Sequence, residues 1–369
     1  MERVKLGIIG LGLAWERLHA PALSRLQDRY EIVAVCDADG AKAKSVAQFL
    51  GLAEDSWYYD YNKMLARKDI EAVESLVPIS GNYEAAEAVI RSGKHLIAEK
   101  PLASTLEAAQ ELIKLRDKKK VQVMVAENVR YEEQNILLKN LITGGHIGNP
   151  IYFIDNHVVE YRQESERGGF GQTDWRQHPD FKGGVIMDSG VHHVARMRFL
   201  FGDATSVFAH GRPSEIDFAP YSCINGLLQF PGNVMGHYAF LLIGKETQAP
   251  LVGLRIFGTH GEIYLEEPNC GYVNVTYKEN TNSTAISYNP GQGYFLELEN
   301  FHAALRHGAK IESTPEKALG DIATVFAIIE SARLSEAVNP KNVGKISQSY
   351  ILPKVTSYPG ARTAAKMNT

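Results

Sequence analysis

A lysine that directly follows a short apolar run is the first residue placed to do chemistry. Residues 95–99 (HLIAE) read as a strand, and Lys100 precedes Pro101, which cannot donate to a sheet ladder and disfavours helix in the residue before it. We therefore expect Lys100 on a turn at the carboxyl end of a strand, the edge at which open parallel sheets bind ligands. The alternative is a solvated surface lysine.

An aspartate and a histidine spaced four residues apart are the second candidate. If 183–202 contains a helix, Asp188 and His192 lie on one of its faces, whereas His193 points elsewhere. A carboxylate beside an imidazole fixes the tautomer of the ring and steadies its protonated form. The alternative is a helix cap at Asp188 and a satisfied core histidine at His192.

Together these residues suit proton movement during hydride transfer between an alcohol and a nicotinamide. Lysine side chains ordinarily have a pKa of about 10.4 and histidine side chains a pKa of about 6.5. We therefore assign His192 as general acid/base, oriented by Asp188, and Lys100 as the cation that binds and polarises the reacting oxygen. If burial depressed the pKa of the lysine, the two roles would be exchanged.

A glycine-rich turn near the N-terminus predicts where such a cofactor binds. Gly10 and Gly12 follow the first apolar run and form the G-x-G of a dinucleotide-binding turn, and Leu13 and Ala14 then begin a helix. Trp15 occupies the place of the third glycine, so an ordinary glycine-rich turn is the alternative.

The second apolar run ends in Asp37, where a carboxylate is expected to accept hydrogen bonds from a ribose. Asp39 follows, and no arginine comes directly after it to accept a 2′-phosphate. We therefore predict NAD(H) rather than NADP(H) as the cofactor. The alternative for Asp37 is a solvated turn residue.

Alternating strands and helices in the first third of the chain predict the frame that positions these residues. This rhythm implies right-handed crossovers and a parallel sheet covered on both faces, as in a doubly wound Rossmann-type α/β domain. We place this NAD-binding domain at residues 1–127. Its apolar runs are 4–10, 31–37, 71–78, 95–99 and 121–127.

The apolar runs become longer and richer in β-branched and aromatic residues after about residue 150. Turn residues at 231–233 and 259–261 separate some of them, which is typical of hairpins in a mostly antiparallel sheet with one face packed on helices. We expect an α+β domain with a large open sheet at 128–354, serving substrate binding and oligomerisation. A polar tail is expected at 355–369.

Composition excludes several other classes of protein. A chain of 369 residues favours two domains, and its net charge of −4 gives no footprint for nucleic acid or an anionic membrane surface. No apolar run reaches the roughly 20 residues that span a bilayer. Three cysteines without a CxxC motif, and scattered histidines, favour a cytoplasmic protein without disulfides or a metal site.

Several stretches resemble the Gfo/Idh/MocA family of oxidoreductases. They are 92–101, 126–131, 174–176 and 183–193, together with 138–153, which looks like the family's entry into its second domain. The resemblance covers about residues 1–345. It implies oxidation or reduction of hydroxyl and carbonyl groups of sugars, inositols and related polyols with NAD or NADP.

The resemblance also implies roles for particular residues. Lys100 corresponds to the family's catalytic lysine, and Asp188 and His192 correspond to its D-x-x-x-H pair. The first loop is one residue longer than is usual in the family before His19. Further cofactor contacts are expected from Pro78, Asn82, Glu99, Lys100 and Asn128.

Substrate contacts are expected from two other segments. Trp175 and Arg176 lie on a glycine-rich loop that we expect to be irregular, and an aromatic ring with a guanidinium suits a sugar face and its hydroxyls, or the cofactor edge. For Trp175 the alternative is a core anchor for the loop. Arg130 and Tyr131, which open the second domain, are expected to line the cleft.

Our leading hypothesis is an NAD-dependent sugar or polyol dehydrogenase or reductase that forms a homodimer or homotetramer through its second sheet. One alternative is a glycosidase that uses tightly held NAD for transient oxidation. A cofactor-sensing regulator that shares the fold is another. The joint presence of Lys100, Asp188 and His192 argues against the regulator, which has no need of a proton-transfer set.

Overall fold

Two β-sheets organise the chain. The structure, a computed structural model, describes residues 2–158, 168–214, 219–242, 253–279 and 282–346. The predicted tail at 355–369 lies outside these residues. The predicted fold class is confirmed, since a parallel sheet is followed by a separate, mostly antiparallel one.

The first sheet has six parallel strands in the order β3-β2-β1-β4-β5-β6, which is typical of dinucleotide-binding domains. Its central strands are apolar and buried because helices cover both faces. The strands are β1 (Val4–Ile9), β2 (Tyr30–Cys36), β3 (Trp57–Tyr58), β4 (Ala72–Ser75), β5 (His95–Glu99) and β6 (Val123–Ala126). Because β5 ends at Glu99, Lys100 stands at the carboxyl edge of this sheet, as predicted.

Helices connect these strands, and side chains cap several of them. Asp39 accepts hydrogen bonds from the first N–H groups of α2, and Thr105 accepts one from Ala108 at the start of α5. The helices are α1 (Ala20–Ser24), α2 (Gly40–Phe49), α3 (Tyr61–Leu65), α4 (Asn82–Arg91) and α5 (Leu106–Lys119).

The second sheet has eight strands in the order β14-β13-β12-β11-β7-β10-β9-β8. Its neighbouring strands are antiparallel except for β7 and β10, which are parallel. The strands are β7 (Pro150–Val158), β8 (Ser206–Pro213), β9 (Tyr221–Gln229), β10 (Met235–Leu241), β11 (Gly253–Gly258), β12 (Gly261–Leu265), β13 (Tyr272–Tyr277) and β14 (Ser283–Ser287). The predicted turns at 231–233 and 259–261 connect β9 to β10 and β11 to β12.

Helices pack against one face of this sheet, and α11 lies along β8 and also contacts α9 and α5. Thr314 caps α11 by accepting a hydrogen bond from the Lys317 N–H. The helices are α6 (Glu133–Thr143), α7 (Asp174–Gln177), α8 (Gly184–Asp188), α9 (Gly190–Phe201), α10 (Gly293–His307), α11 (Pro315–Leu334) and α12 (Val343–Ile346). Within the described ranges, no helix combines the length and apolarity that a membrane crossing requires.

Candidate active site

The glycine-rich turn after β1 has the shape that a dinucleotide requires. Gly10 has a φ of +88°, and a Cβ at this position would lie 2.6 Å from the Leu76 carbonyl oxygen, so only glycine fits. A Cβ at Gly12 would meet no atom within 4 Å, which leaves open space in front of the turn. Leu13 and Ala14 begin the helix, where the first N–H groups have no intrahelical acceptor and can bind a pyrophosphate.

Asp37 lies beside this turn at the end of β2. Its Oδ2 accepts a hydrogen bond from the Leu11 N–H at 2.8 Å, and its Oδ1 accepts one from the Asp39 N–H at 2.9 Å. The Lys42 Nζ lies 3.7 Å from Asp37 Oδ2. The expected ribose-binding carboxylate therefore stands next to the glycine turn, with one neighbouring cation that we did not foresee.

A π-helical turn, Trp15–His19, follows the glycine turn and leads into α1. A π turn accommodates one additional residue within a helix, and such turns are common at functional sites. His19, the last residue of this turn, lies between the carboxylates of Glu74 and Glu99. The Trp15 side chain is buried in the hydrophobic core.

Lys100 makes the central contact of the cleft. Its Nζ donates to the Asp188 carbonyl oxygen at 2.7 Å and to Asp188 Oδ1 at 3.0 Å. The other carboxylate oxygen of Asp188 accepts a hydrogen bond from Arg176 Nε at 2.6 Å. Burial alone would raise the pKa of Asp188, but Lys100 and Arg176 hold it well below its usual value. Asp188 is therefore an ionised carboxylate shared by two cations, and we call these three residues the cleft cluster.

The predicted pairing of Asp188 with His192 is wrong. Asp188 ends α8 and His192 belongs to α9, because the helix is interrupted at Ser189. The Ser189 carbonyl accepts the His192 N–H. In a continuous helix the Asp188 carbonyl would accept that N–H. Here the Asp188 carbonyl accepts from Lys100 instead, so the break exposes an acceptor for the lysine.

His192 is paired with a carboxylate that sequence reasoning missed. Its Nδ1 lies 2.6 Å from Oε1 of Glu127, which is buried and directly follows β6. Because β5 and β6 are neighbours, Glu127 stands beside Lys100 at the carboxyl edge. The signal was present in the sequence, since Glu127 ends an apolar run just as Glu99 does, but we considered only the residues after it.

Arg130 and Tyr131 do not line the cleft, which corrects our expectation. Arg130 is buried and its Nη2 donates to both carboxylate oxygens of Asp321 at 2.8 Å. The buried Tyr131 hydroxyl donates to Asn300 Oδ1 at 3.0 Å and accepts from the Ser313 N–H at 3.0 Å. Both side chains are held in the interior by partners on distant parts of the chain.

Trp175 and Arg176 lie on a more regular segment than expected, since a 3₁₀ turn (Phe170–Gln172) precedes the short helix α7. The Arg176 guanidinium lies 4.0 Å from the centroid of the Trp175 ring. The Trp175 ring is tilted against Phe181 with 6.2 Å between centroids. Arg176 therefore contacts Asp188, whereas the Trp175 ring lies against the Arg176 guanidinium and packs on the core.

Two of the other expected cofactor contacts support the turn that carries Lys100. Asn82 donates through Nδ2 to the carbonyl oxygens of Pro101, at 2.7 Å, and Glu99, at 3.3 Å. The Glu99 side chain is buried and turned toward the protein.

Asn128 donates through Nδ2 to Glu132 Oε1 at 3.2 Å, whereas Pro78 is exposed after β4. Asn128 is half-buried. In the described part of the chain, no group of three histidine, cysteine, aspartate or glutamate side chains is arranged to hold a metal ion.

Two family models match this chain. Residues 4–127 match the oxidoreductase family's NAD-binding Rossmann fold, and residues 139–339 match its C-terminal alpha/beta domain. The chain belongs to the Gfo/Idh/MocA oxidoreductase family. Residues 4–127 are thus the NAD-binding part of a family oxidoreductase, which confirms the resemblance and the cofactor class.

Individual proteins agree with this assignment. An uncharacterised Saccharomyces cerevisiae protein is 25% identical over 90% of this chain and 97% of its own length. The 1,5-anhydro-D-fructose reductase of Ensifer adhaerens is 25% identical over 83% of this chain and 90% of its own. The crystal structure of a Thermotoga maritima oxidoreductase, 26% identical, superposes with a TM-score of 0.81 and covers 93% of this chain and 100% of its own.

Proposed function

We propose that this family member transfers a hydride between NAD(H) and a hydroxyl or carbonyl carbon of a sugar, inositol or related polyol. The observation that carries the proposal is the arrangement at the carboxyl edge of the first sheet. Lys100 follows β5 and Glu127 follows the neighbouring strand β6, and each is bonded to a polar side chain of the second half of the chain. A cation and a proton carrier therefore meet at the edge where such sheets bind ligands.

Lys100 is the group proposed to bind the reacting oxygen. When bound, the nicotinamide supplies or accepts the hydride, and the protein must stabilise the charge that develops on the oxygen. Lys100 retains exposure to the cleft, with 12% of its side chain accessible. Its two bonds to Asp188 aim the ammonium and leave one of its three N–H donors for the oxygen of the substrate.

His192 is the proposed proton carrier, and Glu127 takes the orienting role first assigned to Asp188. A carboxylate that accepts from Nδ1–H leaves Nε2 as the basic nitrogen, and it stabilises the imidazolium once a proton arrives. Glu127 is buried, whereas 24% of the His192 side chain is exposed. The imidazole is therefore held at Nδ1 by Glu127 while part of the ring stays accessible, and we assign Nε2 as the nitrogen that meets the substrate.

The substrate class is supported by one relative and by the chemistry of Arg176. The Ensifer adhaerens enzyme is named for the reduction of an anhydro-sugar, which supports a polyhydroxylated substrate here. Arg176 is fixed between Asp188 and the Trp175 ring, and a guanidinium has five N–H donors, so those not used by protein acceptors can donate to substrate hydroxyl groups.

A panel of sugars, inositols and keto-sugars, followed through the absorbance of reduced nicotinamide, tests the proposal. We expect stoichiometric reduction or oxidation of the cofactor with at least one member. If NADH binds normally but no member changes the absorbance, the proposed reaction is wrong. Turnover in which NAD stays bound and is regenerated would identify the glycosidase-type alternative.

We also propose that the chain forms a dimer or tetramer through the face of the second sheet on which apolar side chains are exposed among the described residues. Leu227 and Met235 are 56% and 54% exposed on this face, and Phe208 pairs beside Leu227. Apolar side chains in adjacent rows on an open sheet mark an interaction surface. Light scattering at micromolar concentration should give at least twice the chain mass, and a stable monomer would remove this proposal.

A further inference from the structure

We propose that His19 is a positioning residue for Lys100 and acts through Glu99. His19 is the last residue of the π-helical turn after the glycine turn, and the proposed reaction gives it no direct role. Its side chain is completely buried between the ends of β4 and β5. The inference rests on the proposed function, because it concerns how the lysine of that reaction is held.

Glu99 contacts both Lys100 and His19. Glu99 Oε2 accepts a hydrogen bond from the Lys100 backbone N–H at 2.9 Å, so the glutamate folds back over the end of its own strand. Glu99 Oε1 lies 3.1 Å from His19 Nε2. One carboxylate thus joins the histidine to the backbone of the proposed polarising lysine.

The geometry around His19 requires a protonated imidazole ring. His19 Nδ1 lies 2.8 Å from Glu74 Oε1, so both ring nitrogens face a carboxylate oxygen. A neutral imidazole has a single N–H, and only the imidazolium donates from both nitrogens. Burial alone would lower the pKa of His19, but Glu74 and Glu99 raise it well above its usual value. His19 is therefore the buried cation that keeps Glu99 ionised and fixed.

Lys100 and His192 also lower the pKa of Glu99 through their charge, but among the described residues His19 has the larger effect, because it adds a hydrogen bond to its charge. The Tyr294 ring packs edge-on against the imidazole with 5.2 Å between centroids. Glu297, also on α10, is fully buried, and burial raises its pKa well above its usual value. If His19 were replaced by a neutral side chain, Glu99 would lose the largest effect that keeps it ionised while staying buried, and its hold on the Lys100 N–H would weaken.

His19→Gln tests the inference, with His302→Gln as the control because His302 is equally buried but lies on α10 away from Lys100. We expect His19→Gln to lower kcat about 10-fold to 100-fold, the range for a catalytic group displaced by about 1 Å. NADH affinity should be nearly unchanged. Hydrogen exchange of the peptide containing the Lys100 amide should become faster in His19→Gln and stay at the wild-type rate in His302→Gln.

A double-mutant cycle separates positioning from general stability. In a Lys100→Met background, His19→Gln should cause no further loss of turnover, since its effect passes through the lysine. If the two losses multiplied, or if the exchange of the Lys100 amide were unchanged, His19 would be only a structural residue. Should His19→Gln fail to fold, Glu99→Gln serves the same test, because an amide offers one acceptor where two donors must be met.

The exchange experiment needs no substrate, so its outcome is independent of the proposed reaction. Absence of dehydrogenase activity in the wild type would overturn the proposed function and leave the link from His19 through Glu99 to the Lys100 N–H intact. Normal wild-type turnover, together with a His19→Gln variant that matches the His302→Gln control, would overturn the inference alone.

Discussion

Two aspartates in this chain each bind two cationic side chains, one in the cleft and one in the interior. In the cleft cluster, Asp188 binds Lys100 and Arg176, and between 10% and 16% of each of these side chains remains exposed. In the interior, Asp321 binds Arg130 and Arg198, whose side chains are only 3% and 8% exposed.

The interior set, which we call the core cluster, links separate elements of the second half. Asp321 on α11 binds Arg130 after β6 and Arg198 on α9, and Arg198 also donates to the Lys317 carbonyl oxygen at 2.6 Å. Its three side chains are almost fully buried, and Arg198 also pairs with Asp203 at the surface. The same ionic arrangement is therefore closed in the interior and keeps a partly exposed cation in the cleft, where we propose that it takes part in the reaction.

The largest expected effect concerns the proton carrier beside the cleft cluster. His192→Ala should lower kcat about 10²–10⁴-fold, the usual range for lost general acid–base catalysis, with cofactor affinity nearly intact. His210→Ala, at an exposed histidine on β8, is the matched control. Steady-state kinetics measure the loss. Wild-type turnover in His192→Ala would assign the role of proton carrier to Lys100 instead.

These same residues show which features of the fold and of the candidate site can be predicted from the sequence. Lys100 was placed correctly because an apolar run that ends in polar residues marks the carboxyl edge of a strand. The alternation of strands and helices predicted the parallel sheet for the same local reason. The glycine turn and Asp37 also lie where their spacing along the chain put them.

The side-chain partners were beyond the reach of local patterns. The spacing of Asp188 and His192 predicts contact only if the helix is continuous. The helix is interrupted, and the Asp188 carbonyl binds Lys100, which lies 88 residues away in the sequence. Arg130 was expected in the cleft because nothing near it in the sequence announces Asp321, which lies 191 residues further on. Such long-range pairings are decided by tertiary packing.

The core cluster should show the next largest effect, on stability. Arg130→Met removes the hydrogen bonds of one cation and leaves Asp321 paired with Arg198, which should cost about 1.5–3 kcal/mol in the free energy of unfolding. Urea denaturation measures this loss. The folded fraction should keep wild-type kcat, because Arg130 does not reach the cleft. A variant of wild-type stability that has lost turnover would reverse the roles of the two clusters.

Lys100→Met should show the opposite pattern. The charge acts on the bound substrate and in the transition state, so kcat should fall about 10²–10³-fold and KM should rise as well. The free energy of unfolding should change less than in Arg130→Met, because the lysine is partly solvated. An unchanged KM would mean that the ammonium acts only in the transition state.

The pH dependence of stability sharpens the comparison further. Because Lys100 and Arg176 hold the folded-state pKa of Asp188 below its unfolded value despite burial, this carboxylate stabilises the fold above about pH 4. The contribution is lost as pH falls through the folded-state pKa. Asp188→Asn should therefore be less stable than the wild type at neutral pH, and urea titrations should show the difference shrinking below about pH 4. A constant difference would contradict the ion pairing.

The smallest expected effect concerns a third carboxylate, Asp37, which has a single, partly exposed cation. Its oxygens hold the Leu11 and Asp39 N–H groups at the glycine turn, and Lys42 lies 3.7 Å from one of them. A 2′-phosphate would bring like charge to this carboxylate, and Lys42 would offset only part of the repulsion because solvent screens it.

We therefore expect kcat/KM for NAD to exceed that for NADP by at least about tenfold, which corresponds to about 1.4 kcal/mol. Asp37→Ser should narrow the ratio by removing the negative charge, and Lys42→Gln should widen it by removing the cation. Kinetics with both cofactors on the same substrate measure all three ratios. Comparable efficiencies in the wild type would contradict the preference for NAD. The attraction of Lys42 for a 2′-phosphate would then be at least as strong as the repulsion from Asp37.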